Sequence, residues 1–113
     1  RAAALQVALA VEGSARELPP GLDVSAYRIV QEALANALRH AGAERTRILI
    51  SWEPTTLRIE VADDGVGPPA DTARNGHGLL GIRERVALFG GTVTTGRSRW
   101  GGYLLSATLP TGP

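Results

Sequence analysis

Three groups of residues in this 113-residue chain have the types and spacing for ligand chemistry. Glu32 and Asn36 stand four apart, so on a helix they project from one face. A carboxylate beside a neutral amide oxygen suits a hard cation, because Mg2+ takes one or two protein oxygens and fills its shell with water or phosphate oxygens. Polar residues at this spacing are also usual on a solvated helix face, and the pair taken alone is read that way. Asp63 precedes Gly65 and Gly67. Its carboxylate accepts hydrogen bonds, for example from the exocyclic amine of adenine, and glycines just after it let backbone approach a ligand. A plain Asp-Gly turn is an equal reading of the same residues.

The third group is Gly76, Gly78 and Gly81, a G-x-G-x-x-G run that opens a predicted helix. Helix N–H groups and the helix dipole hold anions such as phosphate. The dinucleotide fingerprint does not fit, because no hydrophobic strand immediately precedes the run and no acid follows about 20 residues on. Glu84 is the last acidic residue of the chain. His40 and His77 lack cysteines or close partners and are read as helix-end or surface histidines, not a zinc set. A G-x-S-x-G nucleophile elbow is absent.

Composition narrows the chemistry. All 12 basic residues are Arg, so there is no Lys for a P-loop or for the strand lysine of a eukaryotic-type protein kinase. Any phosphate must be met by backbone N–H groups, helix termini, Arg or a metal. A formal net charge of +1 gives no case for a nucleic-acid or membrane surface. The absence of cysteine excludes disulfides and thiolate metal sites. No apolar run reaches membrane-spanning length, and no signal peptide is visible. The length fits one domain, and with 43% apolar residues but five aromatics its core must be mostly aliphatic.

The elements that position these groups follow from hydrophobic period. Residues 5–11 read as a strand and 12–22, rich in Gly and Pro, as a loop. Residues 24–41 read as a helix capped by Asp23 or Ser25 and closed by Gly42, with Val30, Ala33, Leu34, Ala37, Leu38 and Ala41 on its buried arc. Arg28, Glu32, Asn36 and Arg39 fall opposite, with His40 at the edge. Residues 46–52 and 57–61 alternate as two strands of a hairpin with a four-residue turn, the second delivering Asp63. Residues 78–89 read as a helix with Leu79, Ile82, Val86 and Phe89 buried, stopped by Gly90 and Gly91, and 92–95 and 103–109 as two more strands. Strand, helix, two strands, helix, two strands implies an α/β two-layer sandwich, one mixed sheet of about five strands with helices on one face.

Taken in order, the motifs around Glu32, Asn36, Arg39 and His40, around Asp63, Gly65 and Gly67, and around Gly76, Gly78 and Gly81 resemble those of the Bergerat-fold ATPases. That group contains gyrase, Hsp90, histidine kinases and MutL. YRIVQEALANALRHA is similar to the N box, and GHGLLGIRERVALFGG to the second glycine box, of sensor histidine kinases that pair with LuxR/NarL-type response regulators. The resemblance covers about residues 22–109. It implies that Asn36 coordinates a Mg2+ bridging the phosphates of ATP, and that Glu32 holds a metal-bound water or assists proton removal. Arg39 and His40 would lie along the phosphates. Asp63 would bind the adenine amine, with Gly65 and Gly67 shaping the base pocket. Residues 68–77, ending at His77, would form a short ATP lid, with Gly76, Gly78, Leu79 and Gly81 at its hinge and phosphate contacts. Gly101, Gly102 and Thr108 resemble the closing glycine box and last strand.

The resemblance also implies a division of labour. The phosphoacceptor histidine of such kinases stands on a separate dimerisation helix, and no segment of this sequence matches it. The expectation is therefore a single catalytic domain that binds ATP and Mg2+ without phosphorylating itself, monomeric alone and part of a cytoplasmic region of a homodimeric kinase. Its partners would be the dimerisation domain and a LuxR/NarL-type response regulator, with no direct nucleic acid. Two other readings stay open: an anti-sigma-factor serine kinase of the same fold, and a nucleotide-binding pseudokinase module.

Overall fold

The computed structural model describes residues 6–40, 45–65 and 77–112, and at 37–40 and 77–79 the backbone only. Seven elements appear in the predicted order. They are β1 (Gln6–Glu12), α1 (Leu22–His40), β2 (Arg45–Trp52), β3 (Thr56–Asp63), α2 (His77–Leu88), β4 (Thr92–Arg97) and β5 (Tyr103–Pro110). One five-stranded sheet results, in the order β1-β2-β3-β5-β4. Strand β1 runs parallel to β2, as a helical crossover through α1 requires, and every other pairing is antiparallel. Helix α1 packs on β2 and β3, α2 packs on β4 and β5, and the two helices touch each other.

Strand alternation decides which side is the core. Leu57, Ile59, Val61 and Asp63 of β3 are buried, and so are Ile48 of β2 and Leu105, Ala107 and Leu109 of β5, which lie opposite them in register. They meet Leu22, Ile29 and Ala33 of α1 and Ile82 and Val86 of α2 in one aliphatic cluster. The residues between them, such as Arg47, Leu49, Glu60, Ala62 and Leu104, face the other side, which neither helix covers.

Two predicted details of α1 are corrected. Its buried side is centred on Leu22, Ile29 and Ala33, with Val30 and Leu34 only partly buried. The expected arc thus holds at Ala33 but omits Ile29, and its remaining members Ala37, Leu38 and Ala41 lie outside the described side chains. Asn36 follows Ile29 by seven residues, close to two turns, so it leaves the helix on the Ile29 side instead of opposite it. The helix also starts earlier than predicted. The Leu22 N–H donates to the Pro19 carbonyl at 3.1 Å, which places Asp23 inside the first turn, where its Oδ1 accepts from the Val24 N–H at 2.8 Å. The stop of α2 is as expected. Gly90 has φ +75°, and the Gly91 N–H donates back to the Val86 carbonyl at 3.0 Å, a closure that needs a left-handed residue.

Candidate functional site

Asp63 ends the central strand β3 on the helix side of the sheet and is 4% exposed. A buried carboxylate must be hydrogen-bonded to be tolerated. Its Oδ1 accepts from the Gly65 N–H at 2.9 Å and from the Tyr103 N–H at 3.1 Å. Its backbone carbonyl accepts from the Ser98 hydroxyl at 2.7 Å. Ser98 Oγ in turn accepts from the N–H groups of Trp100 and Gly102, each at 3.1 Å. The turn between β4 and β5 thus grips the end of β3 through one buried hydroxyl. A Cβ on Gly102 would collide with the Asp63 carbonyl and Oδ1 and come within 2.7 Å of the Gly65 nitrogen, so this turn closes only with glycine there.

The neighbouring carboxylate does different work. Asp64 receives the Arg45 backbone N–H on Oδ1 at 2.9 Å and its guanidinium on Oδ2 at 3.1 Å, tying the start of β2 to the end of β3. Thr46, directly opposite Asp63 in the β2–β3 pairing, is 2% exposed on the same face. Its hydroxyl has no hydrogen-bond partner among the described residues. Such an orphan is uncommon in a folded interior and marks a place where a water or ligand belongs.

Tyr103 contributes electrostatics as well as its N–H. Burial pushes its phenol above the ordinary 10.0; a hydrogen bond with Thr95 and the charge of Arg83 pull it down, and Asp63 adds to the upward push.

The structure brings together Asp63 and Gly65, with Gly102 against both. Glu32 and Asn36 lie half-buried on α1, in the helical layer over β2 and β3. Gly81 lies within α2, where an added Cβ would meet nothing within 4 Å. Thr108 is not brought to the site. Ala107 and Leu109 beside it are fully buried, so alternation turns Thr108 to the helix-free face, where it pairs with Arg58 and Thr92. Gly67 and Gly76, most of the expected lid, the side chains of Arg39, His40, His77 and Leu79, and the surroundings of Gly78 lie outside what is described. Thr46, Ser98 and Tyr103 were not among the predicted site residues. Only Thr46 carried a local signal, a hydroxyl in register with Ile48 and Ile50 on the apolar side of its strand.

Residues 21–113 match the family described as histidine kinase-, DNA gyrase B-, and HSP90-like ATPases. The chain belongs to this ATPase family. Among its relatives, the sensor histidine kinase YxjM of Bacillus subtilis is 36% identical over 94% of the chain and 26% of its own length. The signal transduction histidine-protein kinase/phosphatase UhpB of Salmonella typhimurium is 36% identical over 77% of the chain and 17% of its own length. The chain therefore spans about a quarter or less of these two relatives. The crystal structure of the ATP binding domain of PrrB from Mycobacterium tuberculosis aligns with a TM-score of 0.76 at 28% identity, covering 96% of this chain and 81% of that one. The mixed sheet with helices on one face is the Bergerat fold of this ATPase family, which makes nucleotide binding the first function to test.

Proposed function

We propose that this ATPase-family domain binds ATP with Mg2+ and presents the γ-phosphoryl group to a histidine on a separate dimerisation domain of its own kinase. From there the group passes to an aspartate of a LuxR/NarL-type response regulator. Family membership and the sensor-kinase relatives support the class. The observation that carries the nucleotide assignment is the buried Asp63 carboxylate, whose described hydrogen bonds both fall on Oδ1. Oδ2 is the acceptor for an adenine amine, and the orphaned Thr46 hydroxyl opposite would bond the base directly or through a water. The residues present fit a purine on this side of the sheet.

Asn36 would hold Mg2+ through its amide oxygen, with Glu32 on the same helix face orienting a water beside it. The metal ion supplies charge neutralisation at the phosphates. This chain's own contribution is positioning: Asp63 fixes the base, and α1 presents Asn36 and Glu32 from the helical layer. By resemblance, Arg39, His40, Gly76, His77, Gly78, Leu79 and Gly81 line the phosphate side. In transfer, the bond from the γ-phosphorus to the ADP oxygen breaks as a bond to the acceptor imidazole nitrogen forms. The intact kinase is read as a homodimer with this domain on the cytoplasmic side.

Asp63→Asn tests the base assignment. The amide keeps an oxygen for the Gly65 and Tyr103 N–H groups but turns an NH2 toward the adenine amine, donor against donor. ATP affinity is expected to fall by at least about tenfold, the effect of roughly 1.4 kcal/mol, with the fold retained by circular dichroism. Binding as tight as that of the parent chain would remove Asp63 from the base pocket. Asn36→Ala should abolish the Mg2+ dependence of binding. Mixing the domain with a separately made dimerisation domain and ATP should yield phosphohistidine; phosphoserine on an anti-sigma-factor antagonist would assign the domain to the serine kinases instead.

A further inference from the structure

The face of the sheet without helices carries a cavity of about 310 Å³. Its floor is Leu49 of β2, Ala62 of β3 and Leu104 of β5, and its walls are Arg47, Arg99 and Trp100. These strand residues alternate with Ile48, Val61, Asp63 and Leu105, so the cavity lies across the sheet from Asp63. Along the same rows of the sheet, Ala8 and Ala10 of β1 stand beside Arg47 and Leu49 in register. Small residues there continue the shallow floor beyond the cavity, toward the sheet edge.

The charges around this floor divide into satisfied and unsatisfied ones. Arg45 is held by Asp64 at 3.1 Å, and its guanidinium lies 5.6 Å from the centre of the Trp100 ring, fixing that wall. Glu60, which also lines the cavity, is paired with Arg58 at 3.2 Å. Arg47 and Arg99 are exposed and form no ion pair among the described residues. Two unpaired guanidiniums flanking an aliphatic and indole surface match a ligand with carboxylates on either side of an apolar group. Arg offers a planar fork suited to carboxylate, and aromatic and Arg side chains are the types enriched where partners dock. The volume holds one large side chain, and the open alanine floor leaves room for the chain that bears it.

We propose that this groove docks an acidic peptide segment of a separate protein, with one apolar side chain against Leu49, Ala62, Leu104 and Trp100 and flanking carboxylates on Arg47 and Arg99. The inference does not rest on the nucleotide assignment, because the two sites occupy opposite faces.

The test is selection of a random dodecapeptide library displayed on phage against the 113-residue chain. Enriched peptides are then synthesised and titrated by Trp100 emission, with Trp100→Phe to identify the signal. Enrichment of Asp or Glu around a single Leu, Ile, Phe, Tyr or Trp is expected. Affinity should fall at least about tenfold in Arg47→Glu, the order seen when one member of an interfacial charge pair is removed. It should also fall in Leu49→Ser and on raising salt, while ATP binding by these variants stays at the parent level. The proposal is overturned if no peptide enriches, if the enriched peptides are basic, if Arg47→Glu and Leu49→Ser bind them like the parent, or if phosphatidylserine vesicles occupy the groove and the acidic peptides do not.

Discussion

One hydroxyl and one missing side chain hold the candidate site in shape. Ser98 is 6% exposed and serves three backbone groups: it donates to the Asp63 carbonyl and accepts from the Trp100 and Gly102 N–H groups. Removing it leaves the buried Asp63 carbonyl and the buried Gly102 N–H without their partner, and the half-buried Trp100 N–H as well. Ser98→Ala is therefore expected to destabilise the chain by about 1–3 kcal/mol, measured as a lower urea midpoint at unchanged slope. Gly102→Ala acts differently. Its Cβ would enter the space of the Asp63 carbonyl and Oδ1, so the carboxylate must move for the turn to close. Nucleotide affinity should drop by more than tenfold, since about 1.4 kcal/mol of misplacement suffices. In Ser98→Ala the carboxylate keeps its bonds to Gly65 and Tyr103, and affinity should change far less. Isothermal titration with ATP on both variants separates the two effects; equal losses would show that the turn supports Asp63 only through general stability.

Elements differ in how much of the fold rests on them. Strand β3 lies between β2 and β5 with every second residue buried, and Ile59 at its middle is 0% exposed. Strand β1 is an edge strand that neither helix covers, and its Val7, Leu9 and Val11 are 48%, 63% and 56% exposed. Ile59→Ala should cost about 2–5 kcal/mol, the range for deleting a fully buried aliphatic side chain. Leu9→Lys should stay within about 0.5 kcal/mol, as for surface changes, and reduce any edge-to-edge association; thermal melts and sedimentation check both. This contrast explains what the sequence disclosed. Period-two alternation in 46–52 and 57–61 made β2 and β3 legible, and with them Asp63, because a strand end followed by Gly-rich residues is a local pattern. The expected arc of α1 omits Ile29, the residue that fixes the buried side, because alanines give weak contrast around a helix. The partners of Asp63 were not legible at all. Ser98 and Tyr103 are 35 and 40 residues away in sequence, and only the β3–β5 register brings them to it. Thr108 failed for the reverse reason: a motif places it near the last strand, but alternation between Ala107 and Leu109 sends it to the other face.

At the scale of the molecule, helices on one side of the sheet gather the buried aliphatic side chains of the described residues into one cluster, and Tyr103 sits at its margin beside the candidate site. Burial holds the phenol protonated to a higher pH than its ordinary 10.0, against the opposing pull of the Thr95 hydrogen bond and Arg83. Folded Tyr103 therefore keeps its proton where the unfolded chain has begun to lose it. Proton binding is then greater in the native state, and stability falls as pH rises. The contribution is complete below pH 10.0 and disappears as the pH climbs through the raised folded value. Tyr103→Phe removes the titration. It should cost about 1 kcal/mol near neutrality through the lost hydroxyl hydrogen bond. Between neutrality and the alkaline range the gap between parent and variant should close, because only the parent carries a phenol that must ionise on unfolding. Urea midpoints measured across this range check the sign: a gap that widens with pH would mean that the folded environment favours the phenolate, and that Arg83 outweighs burial at this end of the sheet.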